Sequence, residues 1–304
     1  MIKKLMKNVT LACAIALAAS SFSARGQAFE TLKAEKIADN VSAISFGAVK
    51  IHTFHGVSNS HIIETANELR VIDAQFIIGQ AKGLKKYITS LGKPLVQIIL
   101  SHNHPDHWFG ASVFKGMAPI ATSKNIASDL EHGGMRYIKI IGKNPKMKGS
   151  VPDKVVVPSQ EIKLGKQTWD GLEVVVEEYP EQESHHALLI KIPSQGIMIG
   201  QDLFYNGFFL VASERKRNKN WRNLLRGFLD NEAKTYKTLL VGHGRNGGPE
   251  IMAQDIKYLD ALEKTLAMGL SKEETTKSLI AQFPDKKGSK GFLGISMRNL
   301  FKGH

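Results

Sequence analysis

The most constraining feature of this chain is the run HNHPDH at residues 102–107, which places three imidazoles and a carboxylate within six positions. The run directly follows an apolar stretch, Val96 to Leu100, and a single serine, Ser101. An apolar stretch of this length predicts a buried strand that leads into a loop. Imidazole nitrogen and carboxylate oxygen are ligands that Zn(II) prefers, so this strand end predicts a transition-metal site.

The N-terminus has the layout of an export signal. Lys3, Lys4 and Lys7 precede an apolar stretch from Val9 to Ala19, and small residues follow it. A stretch this short predicts a cleaved signal peptide, with a retained membrane anchor as the alternative. We therefore predict a signal peptide over about residues 1–28 and a mature protein in the periplasm or outside the cell, with no stable membrane anchor.

The cysteine content and the charge narrow the chemistry further. Cys13 is the single cysteine and lies inside the signal segment, so the mature protein has no thiolate to act as nucleophile or metal ligand. The signal segment carries four of the basic residues, so the formal net charge of +13 falls to +9 in the mature chain. A basic exported protein favours anionic partners, either envelope surfaces or a small-molecule substrate with a sulfate, phosphate or carboxylate group. The basic runs lack interleaved aromatic residues, so we expect no nucleic-acid partner, and the oligomeric state stays open.

The order of the predicted elements indicates a single α/β domain over about residues 29–304. Apolar and alternating stretches predict strands at 49–54, 60–64, 69–73, 96–100, 172–179, 187–192, 197–201 and 238–241. Helices are predicted at 78–91, at about 108–114, at 251–267 and from Ser271, where Ser271 and Glu274 form a capping box. Strands followed by a helix, twice over, predict two sheets sandwiched between helices.

The His-rich run and the segments around it resemble the metallo-β-lactamase superfamily. A strand that ends in Val71-Ile72-Asp73 precedes the run, and three further motifs follow the order of the family: Ser58-Asn59-Ser60, Gly200-Gln201-Asp202 and Gly242-His243-Gly244. The resemblance covers about residues 40–250. It implies an αββα metallo-β-lactamase sandwich, in which helices flank two mixed β-sheets and two metal ions bind at one edge of the sheets.

The resemblance also implies a role for each residue that matches a family motif. The implied ligands are His102 and His104 for the first metal, and Asp106, His107 and His243 for the second. Asp202 matches the residue that bridges both metals. Asp73 matches an aspartate that supports the metal-binding loop, as hydrogen-bond partners orient the ligands of metal sites generally.

One ligand position departs from the commonest pattern of the family. Nineteen residues before the bridging aspartate, where the family usually has a histidine, this chain has Glu183. Alkylsulfatases of the superfamily have a glutamate ligand at this place, so Glu183 is the predicted ligand. The alternative is a local shift that brings His185 or His186 to the metal. With Glu183, the ligands carry three negative charges, and such a site binds Zn(II) but also tolerates Mn(II) or Fe(II).

Side chains near the ligands are candidates for binding substrate. Tyr205 and Asn206 follow the bridging aspartate and are candidate donors to a developing oxyanion. Arg215, Arg217 and Trp221 belong to a basic segment that would hold a sulfate, phosphate or carboxylate group, since arginine makes two-point contacts with such groups. The alternatives are ordinary packing for the first pair and a solvated helix start for the basic segment.

Taken together, these residues predict an exported dinuclear metal-dependent hydrolase, with zinc as the expected metal. A metal-bridging hydroxide would attack an ester-like bond of an anionic substrate, and Asp106 would orient that hydroxide and take up its proton. A β-lactamase or lactonase of the same fold is an alternative. A di-iron redox protein and a non-catalytic metal-binding protein are alternatives from other classes.

Overall fold

The structure is a computed structural model that describes residues 40–286, 288 and 290–302. The predicted signal peptide, at about residues 1–28, lies outside the described residues. Within the described part of the chain, no helix is both long enough and apolar enough to cross a membrane.

The larger of two sheets comes from the N-terminal half of the chain. Among the described residues its seven strands are, in spatial order, β1 (Val41–Phe46), β2 (Val49–His55), β3 (Asn59–Glu64), β4 (Leu69–Ile72), β5 (Leu95–Ile99), β6 (Ile120–Thr122) and β7 (Gln160–Glu161). Strands β1 to β4 pair antiparallel, whereas β4 to β7 pair parallel. The parallel strands β4 and β5 therefore end at the same edge, where residues 73 and 101–107 follow them.

The smaller sheet comes from the C-terminal half. Its five strands within the described range are β8 (Gly165–Trp169), β9 (Leu172–Pro180), β10 (His186–Ile192), β11 (Ile197–Tyr205) and β12 (Thr238–His243). They lie in the order β12-β11-β10-β9-β8, with antiparallel pairing except between β11 and β12. The register of β11 against β12 shifts near Gln201, where φ is 47°, so the strand bends at the residue before Asp202.

Helices cover the outer faces of both sheets. The described α-helices are α1 (Ile78–Ser90), α2 (Pro105–Trp108), α3 (Lys124–Gly142), α4 (Arg215–Asn231), α5 (Glu250–Ala267), α6 (Lys272–Gln282) and α7 (Lys290–Leu300). Short 3-10 helices lie at Phe109–Phe114, Pro145–Met147 and Pro193–Gln195. The capping box predicted at Ser271 and Glu274 is present at the start of α6.

Strand β10 shows how alternation builds the layers, because successive side chains of a strand point to opposite faces. Leu188, Ile190 and Ile192 belong to the core between the two sheets. Ala187 and Leu189 belong to a second core, in which α4, α5, α6 and α7 pack on the outer face of the smaller sheet. The predicted αββα sandwich of two mixed sheets flanked by helices is confirmed.

Two local differences from the predicted elements have physical causes. The helix expected at about 108–114 begins earlier, at Pro105, because a fixed proline φ suits the first turn of a helix. The residues from Phe109 onward form a 3-10 helix instead. Helix α3 was not predicted, since glycines interrupt its pattern. A Cβ at Gly134 would lie 2.6 Å from Val155 and 3.3 Å from Trp108, so close packing requires this glycine.

Candidate metal centre

Side chains from both sheets meet at one edge of the sandwich. The ligand-type atoms fall into three overlapping groups, and within each group these atoms lie within 4.8 Å of one another. The groups are His102, His104, Glu183 and Asp202; Asp73, His102 and His107; and Asp106, His107 and His243. The larger sheet contributes its members from the ends of β4 and β5. The smaller sheet contributes the turn before β10 and the carboxyl-terminal parts of β11 and β12.

The first group joins two imidazoles of the His-rich run to two carboxylates of the smaller sheet. Nδ1 of His104 lies 3.3 Å from Oε2 of Glu183, and Nε2 of His102 lies 3.6 Å from Oδ2 of Asp202. Of these four residues, His104 alone is partly exposed, with 22% of its side chain accessible. The group is therefore buried on the protein side and reaches solvent through His104.

Asp202, a member of the first group, also contacts histidines of the group formed by Asp106, His107 and His243. Nε2 of His243 lies 3.3 Å from Oδ2 of Asp106 and 3.3 Å from Oδ2 of Asp202. Nε2 of His107 lies 3.1 Å from Oδ1 of Asp202 and 3.6 Å from Oδ2 of Asp106. The two carboxylate oxygens of Asp202 thus face histidines of both groups, which is the position expected of a bridging ligand.

Several buried polar atoms of the cluster have no hydrogen-bond partner among the described residues. These atoms are Nε2 of His102, Nε2 of His107, Oε2 of Glu183 and Oδ1 of Asp202. A buried polar atom without a partner is costly, so a convergent set of them requires an explanation. Divalent cations bound among these side chains would satisfy the four atoms, and the nitrogen and oxygen donors suit zinc and similar metals. The residues present therefore fit a metal site.

Buried charges in the cluster shift one another's pKa. Burial alone would raise the pKa of Asp106, but the positive charges of His107 and His243 outweigh it and lower that pKa to about 2. Burial would lower the pKa of His243, but the neighbouring carboxylates raise it to about 10. Burial and the charge of His102 together lower the pKa of His104 to about 3. A metal ion competes with protons for these imidazoles, so metal affinity in this cluster depends on pH.

Asp73 organises the metal-binding loop from behind. Its Oδ1 accepts a hydrogen bond from the backbone N–H of Ser101 at 2.7 Å. Its Oδ2 accepts from the Ser101 hydroxyl and from Nε2 of Gln201, both at 2.7 Å, and lies 2.6 Å from Nδ1 of His107. The carboxylate is fully buried, and its backbone φ of 63° lies in a region that aspartate tolerates. These contacts fix the His107 ring with Nε2 directed at the cluster.

Further partners orient the remaining ligands. Nδ1 of His243 donates to the Val57 carbonyl at 2.9 Å, which leaves Nε2 free to act as a ligand. The Tyr205 hydroxyl donates to Oδ2 of Asp202 at 2.8 Å and lies 3.3 Å from Oε1 of Glu183. Tyr205 is fully buried and is not among the described residues of the cleft wall, so its place favours the packing alternative over a role as an oxyanion donor. Its hydroxyl holds ligand carboxylates instead.

The position that departs from the family pattern is occupied by Glu183. Its side chain is buried, and burial together with the charge of Asp202 raises the pKa of the carboxyl well above its usual value. The side chain of His185, in contrast, is 57% exposed and pairs with Glu181 at 3.0 Å. Likewise, His186 pairs with Asp129 at 2.9 Å. The turn thus directs Glu183 into the cluster and both histidines away from it, so the alternative with His185 as ligand does not fit.

The predicted substrate-binding segment is only partly at the site. Arg217, in the first turn of α4, lines the cleft above the cluster. Arg215 is exposed and is not among the described residues of the cleft wall. Trp221 is fully buried and donates to the Leu203 carbonyl at 3.0 Å, so it packs in the core rather than against substrate. Asn206 donates to the carbonyl of Arg245 and is also absent from the wall. The spacing of apolar residues along α4 places Trp221 on the buried face of the helix. The many charged residues of the segment do not indicate this.

A cleft of about 190 Å³ opens onto the cluster, and His104, Asp106, Glu183, Asp202 and His243 form part of its wall. The other described residues of the wall are Val57, Phe76, Pro105, Tyr137, Val211, Ser213, Arg217, Phe292, Ile295 and Asn299. The sequence patterns did not identify Tyr137 or the members from α7. No motif marks these side chains, because their place in the wall depends on how separate helices pack.

Comparison with known proteins gives one short curated match. Over 49 residues the chain is 43% identical to the uncharacterized protein YobT of Bacillus subtilis strain 168. The matched segment is 16% of this chain and spans about a fifth of the length of that relative (21%).

Solved structures share the fold over most of the chain. A metallo-β-lactamase from Pontibacter korlensis superposes with a TM-score of 0.54 at 16% identity and covers 72% of this chain and 99% of its own. The metallo-β-lactamase FIM-1 from Pseudomonas aeruginosa, in a mono-zinc form, gives a TM-score of 0.53 at 13% identity and covers 72% of this chain and 95% of its own. At these identities the likeness concerns the fold alone.

The sequence model of the metallo-beta-lactamase superfamily matches residues 54–243, which is more than half of the chain. The matched range includes every residue of the metal-type cluster, from Asp73 to His243. Fold, cluster and family model agree, and the chain belongs to the metallo-β-lactamase superfamily.

Proposed function

We propose that this protein is an exported dinuclear metal-dependent hydrolase that acts on an ester-like bond of a small molecule. The observation that carries the proposal is the convergence of four buried, unpartnered donor atoms beside an open cleft. Ligand side chains that met only for structural reasons would not need access to solvent. Here Asp106 and His104 keep 18% and 22% of their side chains exposed toward that cleft.

Two overlapping sets of side chains would hold the ions. One ion would be held by His102, His104, Glu183 and Asp202, and the other by Asp106, His107, His243 and Asp202. When bound, such ions lower the pKa of water toward neutrality and act as Lewis acids on the scissile group. We expect zinc, the metal in the FIM-1 structure, while three ligand carboxylates also suit Mn(II) or Fe(II).

Among the cluster carboxylates at the cleft, Asp106 is the one suited to moving a proton. Its side chain is 18% exposed, against 5% for Asp202 and 1% for Glu183. An exposed carboxylate exchanges protons with the cleft, whereas the two buried ones are held by the Tyr205 hydroxyl. We assign Asp106 the task of orienting the attacking water and accepting its proton.

Among the described residues of the cleft wall, Arg217 is the one arginine and no lysine is present, so Arg217 is the candidate partner for an anionic substrate. Arg217 lines the wall, and its Nε pairs with Oε2 of Glu214 at 3.1 Å. This pairing fixes the guanidinium while its other N–H groups stay available as donors. A carboxylate or sulfate group of the substrate would bind there, on the side of the cleft formed by α4.

The test is turnover by the purified mature protein on chromogenic substrates of separate bond types: a carboxylate ester, a lactone, a sulfate ester, a phosphodiester and a β-lactam. Each substrate is assayed with added Zn(II) or Mn(II), and again after treatment with a chelator. Chelator-sensitive turnover of one ester-like class supports the proposal. Turnover of the β-lactam alone, or full metal loading without turnover of any substrate, contradicts it.

Export is tested separately by the mass of the purified protein after expression with its native N-terminus. Cleavage within about residues 22–29 supports export. An intact N-terminus in a cytosolic fraction contradicts it.

A further inference from the structure

The C-terminal helix α7 forms one wall of the cleft. Phe292, Ile295 and Asn299 line the cleft from this helix. Their spacing of three, four and seven positions places them on one face of a helix. Helix α7 lies outside the range matched by the superfamily model, which ends at residue 243. The shared ligand motifs therefore do not include the side chains that α7 contributes to the cleft.

Hydrogen bonds fix α7 to the segment that follows β11. The Ser296 hydroxyl donates to the Leu210 carbonyl at 3.0 Å and accepts from the Ala212 N–H at 2.9 Å. Just before the helix, the Gly288 N–H donates to the Gly207 carbonyl at 3.0 Å. Both contacts are to the segment that connects the strand of Asp202 to α4. The wall thus has a defined position relative to the metal-type cluster.

An additional cation strengthens this attachment. Nζ of Lys286 donates to the Phe208 carbonyl at 2.9 Å and lies 3.6 Å from Oδ1 of Asp255 on α5. The other Asp255 oxygen accepts the backbone N–H of Tyr205 at 2.9 Å. This network joins α5, the end of β11 and the segment between α6 and α7.

The wall begins directly beside a ligand of the cluster. The ring of Phe292 lies 4.7 Å from the ring of His243, centroid to centroid, and 6.2 Å from that of Tyr205. Ile295 continues the apolar surface away from the cluster and is only partly buried. Val57 and Phe76 of the larger-sheet half line the same cleft with apolar side chains. A group that enters the cleft therefore meets hydrocarbon from both parts of the chain.

Core packing alone does not account for this arrangement. Phe292 is 8% exposed and packs largely in the second core, but Ile295 and Asn299 are less buried and face the cleft. Apolar walls with a few convergent polar groups are typical of small-molecule sites, where burial of an apolar group supplies affinity. Among the described residues that line the whole cleft, Arg217 of α4 is the one arginine and no lysine is present.

We propose that α7 determines substrate specificity by binding an apolar group of the substrate between Phe292 and Ile295 on one side and Phe76 on the other. The proposal rests on the proposed hydrolase function and names the class of its substrate: an ester-like compound with an apolar chain next to the scissile bond. Polar substrates of similar size leave the apolar walls without a partner and bind more weakly.

Binding of straight-chain carboxylates tests the wall without requiring turnover. Acetate, butyrate, hexanoate and octanoate are titrated by calorimetry into the zinc-loaded protein. We expect octanoate to bind roughly 10-fold or more tightly than butyrate. The substitution Ile295→Ala should reduce this ratio by several fold, and Phe292→Ala should do so as well. Leu293→Ala is the matched control, because Leu293 is a fully buried apolar residue of α7 that does not line the cleft.

A wild-type affinity that does not rise with chain length overturns the proposal. It is also overturned if Ile295→Ala and Leu293→Ala lower the ratio equally, since the effect would then come from helix packing. If Phe292→Ala does not fold, Ile295→Asn provides the second variant of the wall.

Turnover of p-nitrophenyl esters with the same acyl chains separates this inference from the proposed function. Chain-dependent carboxylate binding without turnover of any ester supports the wall and contradicts the hydrolase. Turnover of acetyl and octanoyl esters with equal kcat/KM, together with chain-independent binding, supports the hydrolase and contradicts the wall.

Discussion

The larger sheet delivers four clustered side chains in one loop after β5, whereas the smaller sheet delivers three from three separate places along the chain. Residues 102–107 are neighbours in sequence, so one strand end positions all of them. Glu183, Asp202 and His243 come from a turn and from two parallel strands. The first half of the site thus depends on one loop, and the second half depends on the packing of the whole smaller sheet.

The two halves also differ in what supports them. In the larger-sheet half, the Asp73 carboxylate accepts hydrogen bonds from both Ser101 groups and from Gln201, and it contacts His107. In the other half, the Tyr205 hydroxyl donates to Asp202 and lies near Glu183. A buried charge with several partners organises a loop more strongly than one neutral hydroxyl. The comparison implies that the metal centre depends more on Asp73 than on Tyr205.

Removing the residue that joins the halves should have the largest effect. Asp202→Asn keeps the shape of the side chain but removes the charge that faces His102, His107 and His243. We expect metal affinity to fall by more than about 100-fold, beyond the loss typical of supporting residues, and turnover to fall with it. Metal content after dialysis at fixed free Zn(II) measures this. Asp230→Asn, on the exposed face of α4, is the control, and two retained metals in Asp202→Asn would contradict the shared position.

The contact that His61 makes between the two sheets can be tested by measuring stability as a function of pH. His61 on β3 is fully buried, with Nδ1 3.1 Å from the Thr53 hydroxyl and Nε2 3.2 Å from the Val241 carbonyl on β12. Burial lowers its pKa to about 4. Because the folded-state pKa lies below the ordinary value near 6.5, the stabilisation is complete above pH 6.5 and is lost as the pH falls toward 4.

This loss amounts to about 3 kcal/mol of unfolding free energy. The test is urea unfolding of the chelated protein at several pH values. The unfolding free energy of wild type minus that of His61→Gln should decrease by this amount between pH 7 and pH 4. His132→Gln, at an exposed position of α3, is the matched control for replacing a histidine by glutamine. A pH-independent difference for His61→Gln would mean that this histidine does not join the sheets as a neutral ring.

The support of the larger-sheet half is tested by Asp73→Asn. The variant loses the negative charge behind His107 and replaces one acceptor oxygen by a donor that faces the Ser101 groups. We expect metal affinity to fall by 10- to 100-fold, the range typical of partners that orient ligands. Competition with a fluorescent chelator for Zn(II) measures the affinity. Wild-type affinity in this variant would contradict the role given to Asp73.

The support of the smaller-sheet half is tested by Tyr205→Phe, for which we expect the smallest effect. The variant loses one neutral donor to Asp202, so metal affinity should fall by less than about 10-fold. The free energy of unfolding should change by about 1 kcal/mol. The same chelator competition and urea unfolding provide the comparison. A larger loss than that of Asp73→Asn would reverse the ranking of the two halves.

The same difference between the halves explains what the sequence could predict. The run at 102–107 and the strand before it are contiguous, so local pattern sufficed to place them together. Most strands were predicted to within a few residues, because alternation and apolar runs report burial directly. Helix α3 was missed because glycines interrupt its pattern, and one of them, Gly134, serves packing against Trp108 and Val155, which no local pattern reveals.

The dispersed half of the site was harder to predict. Motif spacing pointed to Glu183, but only the turn geometry shows that its neighbour His185 points to solvent. Trp221 was considered for substrate binding because of its basic neighbours, although it lies in the core. Phe292 and Ile295 reach the cleft because α7 packs on the segment after β11. This packing is a feature of the tertiary structure that no sequence motif marks.

Metal stoichiometry of three proteins tests the central claim most directly: wild type, Glu183→Ala and His185→Ala, each measured by mass spectrometry of metals after reconstitution with Zn(II). The account predicts two ions per chain in wild type and in His185→Ala, and one ion in Glu183→Ala, since Glu183 faces His104 while His185 is exposed. Two ions retained in Glu183→Ala, with one lost in His185→Ala, would contradict the proposed ligand set.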